Sequence, residues 1–454
     1  MSLFGMLGTA SRALEAQRFG LDVVGNNLAN VNTPGYNRRI ADLGALPPSD
    51  RYSAGRGVEV LGVRSTRDRL YDQRLYDEAP LEQQQAALAD SLGLAEVALG
   101  GAGTSIDSDL AKFFDAFAEL AEAPTSTTAR QQVVTEGDAL ARSFTSMATR
   151  LNDAARATDA RVREDIANIN VLTSRIASLN KSIAASPASQ TLHLRDQQTE
   201  TLKALSGLVG TQVLELADGT AQVMTRNGRP LVMGADSYAL QAVSLPPSGY
   251  AAVQAGGVDI TAEVSDGHLA GLLQVRDGAL PGYVAQLDTL AHGLATTVNA
   301  LHASGFDASG TAGGNFFTPP TGVAGAAAAM AIDPALRADP SRLAAAGVAT
   351  PGDNAIARQL ANTRDTALAG GKTPDQAWTS LVYAVGSDVS RAKTEQASRA
   401  DIVNQIEQVR DSVSGVSIDE EAAMMMRFQR AYQANAQFFT VIDETLQTLL
   451  SLKR

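Results

Sequence analysis

Cysteine is absent from the 454-residue chain, so disulfide bonds and thiolate metal sites are excluded, and an oxidising exterior would meet no thiol. Aromatic residues make up only 5%, with a single Trp, whereas the hydrophobic fraction of 44% is ordinary for a folded protein. Alanine supplies much of that apolar content, so long helices should dominate over a compact aromatic core. Basic charge is in deficit: 37 Lys and Arg stand against 49 Asp and Glu, and phosphate backbones and anionic lipid would repel the resulting net charge of −12. Nucleic acid is therefore not an expected partner. No apolar run is long enough to cross a bilayer, which argues against membrane insertion, and Met1 to Gly8 lacks the basic start and long apolar stretch of a conventional signal peptide.

Patterns that carry chemistry fail on spacing. The histidines are His193, His268, His292 and His302, in separate segments. Asp288 and His292 share a helix face, but two ligands make no metal site, and the pair reads as polar helix surface. Gly371-Lys372-Thr373 has the tail of a phosphate-binding loop, yet Thr366 stands where its first Gly is needed, so a helix end followed by an N-cap is the better reading. Asp107 and Asp109 could open a calcium loop, but Ala111, Lys112 and Phe113 follow where ligands and Gly belong. No Ser lies in a Gly-x-Ser-x-Gly elbow. The sequence thus nominates no catalytic residue, no cofactor and no metal.

Length alone suggests about three domains. After an N-terminal helix, Ile40 to Gly62 reads as a loop leading into a strand at Val58, Val60 and Val63. Helical pattern runs from Arg67 past Pro80 to Leu99 and stops at Gly100-Gly101-Ala102-Gly103. Ser105 or Asp107 caps the next helix, which carries Leu110, Phe113, Phe114, Phe117 and Leu120. Ser126 or Thr127 opens the longest apolar stripe, reaching Ala185; a helix of roughly 55 residues, about 80 Å long, implies a rod-like bundle. Gln190 to Leu208 is its antiparallel return.

Composition changes at Gly210, where alternating stretches and the turns Asp218-Gly219 and Asn227-Gly228 predict a small β domain continuing to Ile260–Val264. Helix returns from about Leu280 to Leu301. Gly322 to Met330 is a Gly/Ala tract with little capacity to specify packing, and Thr373-Pro374-Asp375 caps a final helical pair broken near Gly415. The expected fold is mainly α with an inserted β domain, an elongated bundle divided as 1–65, 66–209, 210–267, 268–414 (with a Gly/Ala-rich loop at 305–330) and 415–454.

Both ends of the chain carry the period of helices that pack along a seam. Leu3, Leu7, Ala10, Leu14, Gln17, Leu21, Val24, Leu28 and Val31 alternate by four and three, as do Ile418, Met425, Phe428, Tyr432, Asn435, Phe439, Ile442, Leu446 and Leu449. Asn435 either fixes register as a buried polar group or sits solvated at the seam edge. Asp419-Glu420-Glu421 suits the first turn of a helix capped by Ser417, and can equally make a polar contact between subunits. Within Met424-Met425-Met426, Met425 reads as seam packing. The first helix is stopped at Asn26-Asn27-Leu28-Ala29-Asn30-Val31-Asn32-Thr33-Pro34-Gly35-Tyr36, where Pro34 disfavours helix at Thr33, Gly35 suits positive φ, and Asn30 and Asn32 favour turns.

That turn, with Asn27, Asn30, Asn32, Thr33, Pro34, Gly35 and Tyr36 behind a helix starting Ser2-Leu3-Phe4, resembles the signature of bacterial flagellar rod, hook and hook-associated proteins. Ser414 to Glu421 followed by Arg427-Phe428-Gln429-Arg430-Ala431-Tyr432-Gln433-Ala434-Asn435-Ala436 is similar to the hook-associated FlgK family, and so is Gly271 to Asp277. The resemblance implies an extracellular structural adaptor at the hook–filament junction, exported uncleaved by the flagellar type III channel. Its implied partners are copies of itself, the hook protein, a second junction protein beside the filament, and an export chaperone on the C-terminal helix. Seam residues Leu7, Leu14, Leu21, Leu28, Met425, Phe428, Tyr432, Phe439, Ile442 and Leu446 would then build an inner tube, and one outer domain of the family would be missing or reduced. A distal rod or hook subunit is the nearest alternative, and a secreted adhesin a further one. Each terminal helix shows one apolar face and no partner layer in its own chain, so ordering on assembly is expected.

Overall fold

The computed structural model describes residues 3–48, 55–100, 106–187, 190–368 and 370–451. The glycine stop at 101–103 and the candidate cap Ser105 lie outside these residues. Helix α1 (Leu3–Ala29) leads through the Asn-rich turn into an antiparallel hairpin of β1 (Arg39–Ala45) and β2 (Val58–Ser65). The sequence reading found β2 but took β1 for loop. A bulge between Asp42 and Leu43 breaks the period-two pattern that would have revealed it.

Four helices form the first half of a rod: α2 (Arg69–Leu99), α3 (Ile106–Glu122), α4 (Thr127–Ala185) and α5 (Leu192–Leu208). Asp68 caps α2 by accepting from the Leu70 N–H, and Ser126 caps α4 by accepting from the Ala129 N–H. With 59 residues, α4 is about 90 Å long. Its expected stripe is its buried face, including Val133, Leu140, Phe144, Met147, Leu151, Ile166, Ile169 and Ile176.

The insertion holds two antiparallel sheets. One comprises β3 (Thr211–Glu215), β4 (Ala221–Thr225), β5 (Pro230–Met233) and β6 (Asp236–Ser237); the other comprises β7 (Leu240–Ser244), β8 (Ala251–Ala255) and β9 (Val258–Asp259). Gly219 and Gly228 take positive φ in the two turns read from sequence. Thr261–Glu263 is a turn of 3-10 helix rather than the expected strand. The ends of the insertion meet, the Gly210 N–H donating to the Asp266 carbonyl at 3.2 Å. The sheets nevertheless share a core with the rod, as Val223, Leu231, Val232 and Val253 cluster with Val162, Ile166, Ile169 and Ile176 of α4.

Helix resumes earlier than expected, with α6 (His268–Gln274), a π-helical turn at Val275–Ala279 and α7 (Leu280–Ala303) running without a break. Gly278, Pro281 and Gly282 suggest an interruption, which the wider π turn absorbs. Within it Arg276, 3% exposed, pairs with Asp159 of α4 at 2.7 Å and donates to the Ala251 carbonyl of β8, locking sheet to rod.

Two short helices, α8 (Pro334–Ala338) and α9 (Ala355–Asn362), precede α10 (Pro374–Ser414) and α11 (Ile418–Ser451). Thr373 and Gln376 form a capping box at the start of α10, and Trp378 is buried one turn on. The Gly/Ala tract corrects an expectation: Ala326, Ala327 and Met330 are buried, and Asp288 of α7 accepts from the Gly325 and Ala327 N–H groups at 2.8 and 2.9 Å. Asp288 is thus a buried clamp, not polar helix surface. Small side chains let this backbone approach α7 closely enough for a carboxylate to satisfy it.

Candidate axial assembly interface

The two terminal helices pack against each other within one chain, which corrects the expectation that neither has a partner there. Gly415 ends α10 beside β1, so α11 starts near the end of α1 and runs back along it, antiparallel. Phe428 stands over Gly20, so close that an added Cβ would lie 2.5 Å from the ring. Asn27, seven residues later on α1, bonds Glu421, seven residues earlier on α11.

The face of α1 that packs is rotated from the leucine stripe. Ala10, Ala16, Gly20, Val23, Val24 and Asn27 are buried, while Leu7, Leu14, Leu21 and Leu28 are only half-buried along its flank. Small residues win this face because they admit the large side chains of α11. On α11, Ile442 is buried and Met425, Phe428, Asn435, Phe439 and Leu446 are half-buried, but Tyr432 is exposed. Met426, Phe438, Val441 and Leu449 are exposed with it. Asn435, half-buried, donates to the Ala431 carbonyl of its own helix at 2.8 Å, a back-bond within α11 that ties it to no residue of α1.

A polar node gathers the Asn-rich turn, the hairpin and the starts and ends of three other helices. Gly35 takes φ +73°, and an added Cβ would run into the Glu200 side chain of α5. Asn30 donates to the Asn26 carbonyl at 2.9 Å and accepts from the Thr33 hydroxyl at 3.2 Å, closing the turn; Asn32, Thr33 and Pro34 are exposed. The Tyr36 hydroxyl donates to Asn27 Oδ1 at 2.9 Å, with the Arg39 guanidinium 4.9 Å from its ring centre.

Asn27, 1% exposed, is saturated: its amide donates to the Arg39 carbonyl and to Glu421, and its oxygen accepts from the Arg39 N–H and Tyr36. Glu421, also 1% exposed, accepts from Arg38 Nε at 2.7 Å, and Arg38 reaches Glu420 at 2.8 Å. Glu420 and Glu421 of the acidic run therefore pair inside the chain, while Asp419 is exposed. Ser414 of α10 completes the node, its carbonyl accepting from the Arg38 N–H at 2.8 Å and its hydroxyl donating to the Thr66 carbonyl.

On the other side, Asp196 of α5 accepts from Asn37 at 2.8 Å and pairs with Arg39 at 3.2 Å. Burial raises the Asp196 carboxyl above its usual range against the opposing pull of those two donors, and burial likewise raises the Tyr36 phenol. A cleft of about 620 Å³ opens here, lined by Asn30, Pro34, Tyr36, Arg175 and His193 among others. Sequence reasoning missed Gly20, Asn37, Arg38, Arg39, Thr66 and Asp196. The basic pair Arg38-Arg39 could have been matched to the acids at 419–421, but no spacing points to Asp196.

Three family models match the chain: the helical domain of the flagellar hook-associated protein FlgK over residues 93–317, the C-terminal region of the flagellar basal body rod FlgEFG proteins over 408–452, and the flagella basal body rod protein over 7–37. The latter two fall on α11 and α1. The flagellar hook-associated protein 1 of Bacillus subtilis is 27% identical over 99% of this chain and 98% of its own length; that of Escherichia coli is 25% identical over 99% and 100%. The E. coli alignment spans 557 positions, so that relative carries segments the 454-residue chain lacks. The solved flagellar hook junction protein FlgK of Burkholderia pseudomallei shares the fold, with a TM-score of 0.67 and 17% identity over 75% of this chain and all of that one.

Proposed function

We propose that this chain, which belongs to the family of the flagellar hook-associated protein FlgK, is a structural adaptor that polymerises at the distal end of the hook and forms the hook–filament junction. The carrying observation is the placement of the family matches: a FlgK helical domain on the rod, bracketed by axial-protein segments on α1 and α11. The protein acts by assembly with other flagellar axial proteins in the extracellular flagellum. Hook protein on one side and a second junction protein on the other are the neighbours this role requires.

The terminal pair supplies the means. With the small-residue face of α1 already covered by α11, its half-buried leucines Leu7, Leu14, Leu21 and Leu28 form one edge, and Phe438, Val441 and Leu449 form an apolar strip on one flank of α11, with Tyr432 exposed on the other flank. Completing the burial of the four leucines would contribute roughly 3–6 kcal/mol per subunit. One subunit's edge on the next subunit's strip is a heterologous contact, which repeats helically. Before export the same strip is the surface an export chaperone would cover, keeping subunits apart in the cytoplasm. Electron microscopy of hook–basal bodies from a strain lacking the protein tests the role: complete hooks without filaments are expected, and absence of hooks would assign the protein to the rod or hook instead.

A further inference from the structure

Apart from Phe428 over Gly20, the apolar contacts of the terminal pair do not by themselves choose an alignment. The half-buried seam side chains Met425, Phe439 and Leu446 are long enough to repack after a slip of one turn. Two contacts are not interchangeable. Glu421 accepts from both Asn27 and Arg38 in a site where it and Asn27 are each 1% exposed, and Phe428 occupies the gap left by Gly20. These marks lie one heptad apart on both helices, in opposite directions, so a single antiparallel alignment satisfies the two together. One turn either way brings Ser417 or Ile418, or Met424 or Met425, beside Asn27 and Arg38. None of these has a carboxylate: Ser417 offers a short neutral hydroxyl and Ile418, Met424 and Met425 no strong acceptor, so Asn27 and Arg38 would lose the charged group that accepts from both.

We propose that Glu421 is the positioning residue that sets the alignment of α11 on α1, with Phe428 over Gly20 as the second mark. The neighbouring seam Asn435 is occupied by its own helix, so this role falls to a charged residue at the end of the pair, where Arg38 and Ser414 also tie it to β1 and α10. The alignment is a property of one subunit and holds whichever axial position that subunit takes.

Because the chain has no cysteine, introduced thiols are the only ones in the experiment. Ala13 and Asn435 continue the same alignment one heptad beyond Gly20 and Phe428. In the purified full chain, Ala13→Cys with Asn435→Cys reports the native alignment, and Ala13→Cys with Ala431→Cys or with Phe439→Cys reports a slip of one turn in either direction. Mild oxidation should favour the 13–435 crosslink. Glu421→Leu should lower its yield relative to the slipped crosslinks by about tenfold. Glu421→Gln, which keeps size and an acceptor for Arg38 but turns an NH2 toward the Asn27 amide, should lower it by less, and the exposed Glu444→Gln should leave it unchanged. An unchanged ratio in Glu421→Leu, with helix content and denaturation midpoint as in the parent, overturns the proposal. Loss of all three crosslinks in both Glu421 variants overturns it as well, since Glu421 would then hold the pair together without choosing its alignment.

Discussion

The rod and the terminal pair are both made of long helices, yet they bury different things. In the rod, Phe113, Phe117, Phe316 and Phe317 pack in edge-to-face and tilted pairs at centroid distances of 4.8–5.7 Å and are fully buried, together with Phe144 and Leu151. In the pair, α1 buries Ala, Gly and Val, and Ile442 is the single large apolar residue of α11 that is buried among the described residues. Its best-sheltered contact is polar, between Asn27 and Glu421. One region is held by volume and carries its own stability; the other is held by alignment and keeps apolar surface for its neighbours.

The largest test of that contrast compares two phenylalanines. Phe144→Ala, at a fully buried site, should cost the rod about 3–5 kcal/mol in urea denaturation, whereas Phe428→Ala, half-buried, should cost the terminal pair about 1–2 kcal/mol, read as faster hydrogen exchange along α11, and leave the rod's midpoint in place. Trp378 is a built-in reporter, being the sole Trp and buried in the rod core. Equal losses in its fluorescence midpoint would mean that the two regions unfold as one.

Next comes Gly20→Val, which forces side-chain atoms into the Phe428 ring and should cost the pair about 1–3 kcal/mol. Hydrogen exchange should quicken along α11 while the Trp378 midpoint stays put, and filaments should fail to attach. Faster exchange in α4 would show that the pair props up the rod. Gly35→Val should cost about 1–2 kcal/mol through its φ of +73°; the Glu200 side chain beside it makes the turn-to-rod contact the place where loosening begins. Normal assembly of this variant would remove the turn from the mechanism.

The smallest effect is a difference of sign with pH. Buried His302 donates from Nδ1 to the Gly314 carbonyl and accepts the Ala344 N–H at Nε2, and burial lowers its pKa below 6.5. The unfolded chain then binds more protons, so this contribution to the rod is present above pH 6.5 and is lost as the pH falls toward the depressed folded value. Asp196 in the node is raised above 3.8, so its contribution is present below that value and is lost as the pH rises through the folded value. The Trp378 midpoint should therefore fall between pH 7 and 5, while exchange protection at residues 30–37 should not fall with it. Parallel loss in both regions would contradict the assignment.

The helical plan was legible because it rests on local rules. Ser126 and the apolar stripe bounded α4, Thr373 with Pro374 began α10, and Pro34 with Gly35 ended α1 in the right place. The rotation of α1 was not legible, because a leucine stripe outweighs Ala16 and Gly20 in any count of hydrophobicity. Close approach, which rewards the absence of a side chain, is visible only when Phe428 is in place. The Gly/Ala tract misled for the same reason: its specificity resides in backbone N–H groups that meet Asp288 from a distant helix. Asp196 belongs to the node by tertiary placement alone.

Helix α10 spans 41 residues without interruption, about 60 Å, with Trp378 seated in the rod core at one end and Ser414 hydrogen-bonded to Arg38 and Thr66 at the other. It is a lever arm with both ends clamped. A tilt of roughly 5° at the axial end would carry the far end through roughly 5 Å over such a length. A strained neighbour at the axis therefore has a stiff mechanical route to the outer surface of the subunit, and the ionic contacts of Lys203 with Glu407 and of Arg399 with Glu78 along the shaft are where that movement would be resisted.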